Sequence, residues 1–158
     1  MENKVKIYLD DVRTPNDSEW IVARNYEEFV EQVNKYGLEN IDLISLDHDL
    51  GDDAMVEYYN NAKENFKIDY NNIREKTGYD ACKFLVNKSM EKNIPLPTVF
   101  VHSANPIGCG NMIGYINNYL KNCKMETTCK WSPVAHHIGE DFFMSPEARS
   151  ARWKRRGD

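Results

Sequence analysis

Apolar residues follow two rhythms along this chain, one of period two and one near 3.6, and the two alternate. Val5 to Leu9 (V-K-I-Y-L) alternates apolar with polar side chains, ends in Asp10-Asp11 and predicts a first strand. Pro15 closes the stretch that follows, because its missing N–H cannot continue a ladder. Trp20 to Ala23 predicts a short second strand. Asn25 is a suitable helix cap, and Tyr26, Phe29, Val30, Val33 and Tyr36 then fall at helical spacing. Glu27 and Glu28 occupy the favourable first turn, and Gly37 stops the helix. Ile41 to Leu46 (I-D-L-I-S-L) is a near-continuous apolar run of the kind a buried parallel strand shows, and it ends in Asp47-His48-Asp49.

Residues 51–76 interrupt the rhythm. They are rich in Asn, Tyr, Lys and Glu, and predict an insertion folded over the surface with one helix around Ala54 to Phe66. Regular structure resumes at Gly78, where Tyr79, Cys82, Leu85, Val86 and Met90 form one helical stripe. Thr98 to Val101 predicts another strand, ending at His102-Ser103. Met112, Ile113, Ile116, Tyr119 and Leu120 mark a further helix, and Thr127 to Trp131 a last short strand. Strands alternating with helices predict an α/β domain: an open parallel sheet flanked by helices on both faces. In such a sheet the carboxyl ends of the strands share one edge, where ligands bind. Asp10-Asp11, Asp47-His48-Asp49 and His102-Ser103, far apart in sequence, are expected to meet there.

Composition narrows the class. The 158 residues suit one globular unit, and 41% hydrophobic content with nine Tyr and three Trp supplies a core. Twenty basic against 25 acidic side chains leave a charge of -5, so DNA is not an expected partner. No apolar run is long enough to span a membrane. Cys82, Cys109, Cys123 and Cys129 have no zinc spacing, and without a signal-peptide core they are expected as reduced thiols in a cytoplasm. Residues 1–124 are expected to form the α/β domain, and 125–158 the last strand and a basic helical extension. Ser145-Pro146-Glu147 starts that helix, and Arg149, Arg152, Lys154, Arg155 and Arg156 form a solvated stripe or a phosphate contact. His136 and His137 lie in this tail without a spacing partner.

The clusters at the strand ends carry the chemistry. Asp10, Asp11 and Asp47 would repel one another unless neutralised, and Mg²⁺ or another divalent metal suits such carboxylates beside a phosphate oxygen. Their alternative is to cap loops or helices. His48 and His102, two of only four histidines, fit an acid–base pair, with Asp47 or Asp49 orienting one imidazole. Ser103 and Asn105 add hydrogen bonds for a phosphoryl oxygen. Arg13 either clamps a phosphate or pairs with an acid.

The runs L-D-D-V-R-T-P, S-L-D-H-D-L-G, T-G-Y-D and V-H-S-A-N-P-I-G resemble, in that order, the cyclic-phosphate-processing receiver domain. This is a divergent branch of the response-regulator receiver superfamily, and the likeness spans roughly residues 5–121. It implies a flavodoxin/receiver-like fold. Asp10 and Asp11 then match the acidic pair that binds Mg²⁺ in ordinary receivers, Asp47 the phospho-accepting aspartate, and Ser103 the hydroxyl that contacts the phosphoryl group. The lysine of receivers has its nearest counterpart in Lys130. His48 and His102 belong to the divergent branch. The expected function is hydrolysis of a cyclic phosphate, on an RNA 2′,3′-cyclic end, a cyclic nucleotide or another phosphorylated small molecule. The alternative is a non-enzymatic phospho-acceptor, or a module that binds a cyclic nucleotide without cleaving it.

Overall fold

The computed structural model describes residues 3–15 and 18–132. Strands β1 (Val5–Leu9), β2 (Trp20–Ala23), β3 (Ile41–Leu46), β4 (Thr98–Val101) and β5 (Lys130–Trp131) form one sheet in the order β2-β1-β3-β4-β5. Every neighbouring pair is parallel. This is a receiver/flavodoxin-like α/β architecture. Strand β5 pairs with β4, so the sheet continues past residue 124.

Helix α1 (Tyr26–Tyr36) begins where Asn25 Oδ1 accepts the Glu28 N–H at 2.8 Å. It ends at Gly37, whose φ of +84° suits a residue without a Cβ. The insertion contains the expected helix around Ala54 to Phe66, as one unbroken helical run over residues 52–65. Helix α2 (Asp52–Glu57) passes into a π-helical turn (Tyr58–Ala62), then α3 (Lys63–Asn65) and a 3₁₀ turn (Tyr70–Asn72). Helix α4 (Gly78–Lys92) starts from a capping box, in which Asp80 accepts the Thr77 N–H at 2.9 Å and Thr77 Oγ1 accepts the Tyr79 N–H at 3.1 Å. Helix α5 (Pro106–Asn122) has Asn105 as its cap and Pro106 at its first position.

Strand alternation divides the core. Ile7 and Leu9 on β1, Ile44 and Leu46 on β3, and Val99 and Val101 on β4 pack with the apolar stripes of α1, α4 and α5. Tyr8, Trp20 and Leu43 project to the other face and form a smaller cluster with Phe100. Helices were expected on both faces, and α1, α4 and α5 all pack against the first. The expected basic helix near 145–156, with its arginine stripe and His136-His137, lies outside the described residues.

One row of backbone bonds levels the carboxyl edge. Asp10 N–H donates to Ala23 O, Asp47 N–H to Leu9 O, and His102 N–H to Leu46 O, at 3.1, 2.9 and 2.9 Å. Each residue just beyond its strand is thereby tied to the last residue of the neighbour, which puts Asp10, Asp47 and His102 side by side.

Candidate functional site

Asp10, Asp47, Arg13 and His102 are all buried at this edge, and charges there persist only with partners. Asp10 Oδ1 accepts the backbone N–H groups of Val12 and Arg13 at 2.9 and 2.8 Å. Its Oδ2 accepts Arg13 Nε at 2.8 Å and faces His102 Nε2 at 3.0 Å. Arg13 Nη2 lies 3.4 Å from Asp47 Oδ1 and has no hydrogen-bond partner among the described residues. Burial works against the Arg13 charge, yet Asp47 and Asp10 outweigh it and hold the guanidinium above its ordinary pKa. Arg24 fixes this loop from outside, donating to the Arg13 and Asp10 carbonyls at 2.6 and 3.2 Å.

His102 is fixed on the face opposite the helices. Its ring stacks on Tyr8 with centroids 4.5 Å apart and planes at 7°, and Ser45 Oγ sits 2.7 Å from Nδ1. A carboxylate only accepts, so Nε2 carries the hydrogen toward Asp10 and the Ser45 hydroxyl donates to Nδ1. Burial, then the Asp10 charge, raises the Tyr8 phenol above its ordinary value, so it stays neutral against this cluster.

His48 lies on the helical face in a second cluster. Its Nδ1 is 2.6 Å from Asp49 Oδ1, and its Nε2 is 2.9 Å from the Tyr70 hydroxyl, which the insertion delivers. Asn105 Nδ2 donates to the same Asp49 oxygen at 3.2 Å, while Asn105 Oδ1 caps α5 through the Ile107 and Gly108 N–H groups. A Cβ on Gly108 would overlap the His48 imidazole, so this glycine lets α5 close onto the ring. Gly78 likewise leaves room for the Asp47 carbonyl, and its N–H donates to His48 O at 2.9 Å. The two clusters join where the His48 N–H donates to Asp47 Oδ1 at 2.9 Å.

The model of the cyclic-phosphate processing receiver domain family matches residues 5–118. The chain belongs to this family. Comparison with curated proteins and with solved structures gave no significant match. What distinguishes this receiver domain from a bare acidic pocket is the pairing of each strand-end histidine with a carboxylate.

The expected metal site has a different composition. Asp10, Asp47 and His102 present ligand-type atoms within 4.8 Å of one another, while half-buried Asp11, the second acid of the expected pair, stands outside that group. The Arg13 guanidinium already bridges the two carboxylates, and both Asp10 oxygens accept N–H groups. A cation is in place, and it belongs to the chain. A divalent ion held by Asp10, Asp47 and His102 would share these carboxylates with the guanidinium.

The remaining expected residues divide. Ser103 is buried, and its Oγ accepts the Asn105 N–H at 3.1 Å. Lys130 is exposed on edge strand β5. Its neighbour Trp131, which projects oppositely along the strand, donates its indole N–H to Ser103 O at 3.0 Å. Ser45, Tyr8 and Tyr70 were not anticipated. A serine inside the apolar run of β3 was the visible signal for Ser45, whereas nothing local marked Tyr70 among the polar residues around it.

Proposed function

We propose that this receiver domain hydrolyses a cyclic phosphate, with His48 and His102 exchanging the protons of ring opening. The observation that carries the reading is the matched setting of the two imidazoles: carboxylate on one nitrogen, hydroxyl on the other, at neighbouring strand ends. A carboxylate fixes the tautomer and orientation of a ring. Opening a cyclic phosphate needs one proton removed from the attacking group and one given to the departing oxygen. Two such rings serve both needs, each worth roughly 10²–10⁴-fold.

Positive charge for the phosphate comes from Arg13 in this reading. Its Nη2 has hydrogens not spent on a hydrogen bond, and its contact to Asp47 is the longer of its two ion pairs. Asp10 and Asp47 hold the guanidinium, and Asn105 holds Asp49. The substrate class is a phosphorylated small molecule, cyclic nucleotide or RNA end. Product analysis with 2′,3′-cyclic and 3′,5′-cyclic nucleotides, with and without EDTA, tests this. Ring opening to a monoester that persists in EDTA is expected; binding with no cleavage of either would leave a module that only captures the ligand.

A further inference from the structure

The constellation hydroxyl–imidazole–carboxylate occurs twice at this edge. In one copy, Ser45–His102–Asp10, the hydroxyl is sealed away: Ser45 lies inside β3 with 0% exposure. The other is Tyr70–His48–Asp49, and there the hydroxyl-bearing residue is only half-buried and sits on a surface insertion. Its hydrogen bonds have one consistent direction. Asp49 accepts from His48 Nδ1, so Nε2 of the neutral ring is an acceptor and the Tyr70 O–H donates to it. Asn111 Nδ2 donates in turn to the Tyr70 oxygen at 3.1 Å, as it would to a phenolate. One lone pair on that oxygen remains. Burial keeps the phenol above its ordinary pKa, so it reacts only if a base takes its proton.

The geometry points to Tyr70 as a nucleophile, activated by His48 with Asp49 orienting the ring. Nucleophile, base and orienting acid stand in the sequence of contacts that such catalysis requires. The ring is held for this role. It stacks on Tyr79 with centroids 5.0 Å apart and planes at 18°. It also borders a cleft of about 200 Å³ with Arg74, Lys76 and Lys83, whose cations suit a phosphate, although Glu75 and Asp80 line it too.

The step balances within the cyclic-phosphate reading, on which it rests. Tyr70 Oη bonds to phosphorus while its proton passes to His48. One ring P–O bond breaks, and the departing oxygen takes a proton from His102. Water then attacks the tyrosyl phosphodiester and gives one proton to His102, while the bond to Oη breaks and His48 returns its proton to the phenol. The product is a phosphomonoester.

Two experiments test this. In the first, an aryl sulfonyl fluoride, which labels activated tyrosines with loss of fluoride, is applied to the wild-type protein and mapped by peptide mass spectrometry. Tyr70 is expected to label at least about tenfold faster than in His48→Ala or in Asp49→Asn, the second variant guarding against misfolding of the first. Equal labelling in all three, or none, overturns the proposal. In the second, Tyr70→Phe, which keeps the ring stacked on Tyr79, is assayed with 2′,3′-cyclic AMP. A loss of roughly 10²-fold or more, with a nucleotide adduct on the Tyr70 peptide of the acid-quenched wild type, is expected. Undiminished or faster turnover in Tyr70→Phe would make Tyr70 a cover over His48 and overturn the assignment. Should the wild type cleave no cyclic substrate, the proposed function fails, and the labelling experiment still decides the status of Tyr70.

Discussion

Arg13 is where a single side chain most alters the chemistry expected from sequence. Three acids at strand ends look like a Mg²⁺ site when read as letters, because a sequence shows charges without showing which of them pair. Arg13, three residues beyond Asp10, folds back through Nε onto that carboxylate and reaches Asp47 with Nη2. Millimolar Mg²⁺ or Mn²⁺ should leave the melting temperature of the wild type unchanged. Arg13→Ala removes the cation between two buried carboxylates and should melt lower in metal-free buffer. Added Mn²⁺ should then raise the variant by several degrees, since Asp10, Asp47 and His102 can converge on an ion once the guanidinium is gone. A clear metal shift in the wild type would show that the guanidinium yields its place. The residues themselves were legible: Asp10, Asp47, His48 and His102 announced themselves by standing just after apolar runs. Their partners Ser45, Tyr8 and Tyr70 were not, because hydrogen bonds across strands and from an insertion leave no periodic trace.

Among the elements, the strands and long helices could be read because periodicity and capping agreed. Asn25, Thr77 and Asn105 each cap a helix through a side-chain oxygen, and an apolar stripe follows each. The insertion lacked such agreement, and one buried acid contributes to its order instead. Glu57 accepts from Asn61 Nδ2, from the Asp69 N–H at 2.8 Å and from Asn72 Nδ2 at 2.9 Å, so it ties together the turns on either side of Tyr70. Burial alone would raise its pKa, but these hydrogen bonds outweigh that and leave it below the ordinary value. A depressed carboxylate contributes stability that is fully present above the ordinary glutamate value, about 4.3, and is lost as pH falls through its folded value. Hydrogen exchange, corrected for its intrinsic pH dependence, should therefore show residues 57–72 losing protection below about pH 4 before the β-strands do. Glu57→Gln should lose that protection already at neutral pH. Unchanged protection in the variant would mean that the Tyr70 turn is held by its own contacts with Tyr79, His48 and Asn111.

For the molecule as a whole, topology creates the site. No two of the loops after β1, β3 and β4 are near in sequence, and parallel pairing brings all three to one edge. That much follows from alternating strands and helices. What the alternation could not reveal is that the histidines stand on opposite faces of the edge, His102 against Tyr8 and His48 against α5, since a strand-end residue may turn either way. In the proposed function both rings serve one reaction. The rate of 2′,3′-cyclic phosphate opening, across pH, for wild type, His48→Ala, His102→Ala and the double variant, each checked for folding, decides this. A bell-shaped wild-type profile is predicted, because one ring must begin as base and the other as acid. Each single change should cost roughly 10²-fold or more, and the double change little beyond that, as groups acting in one step are non-additive. Cleavage that survives the loss of both histidines, or a protein that takes a stable phosphoryl group on Asp47 and cleaves nothing, would contradict the account.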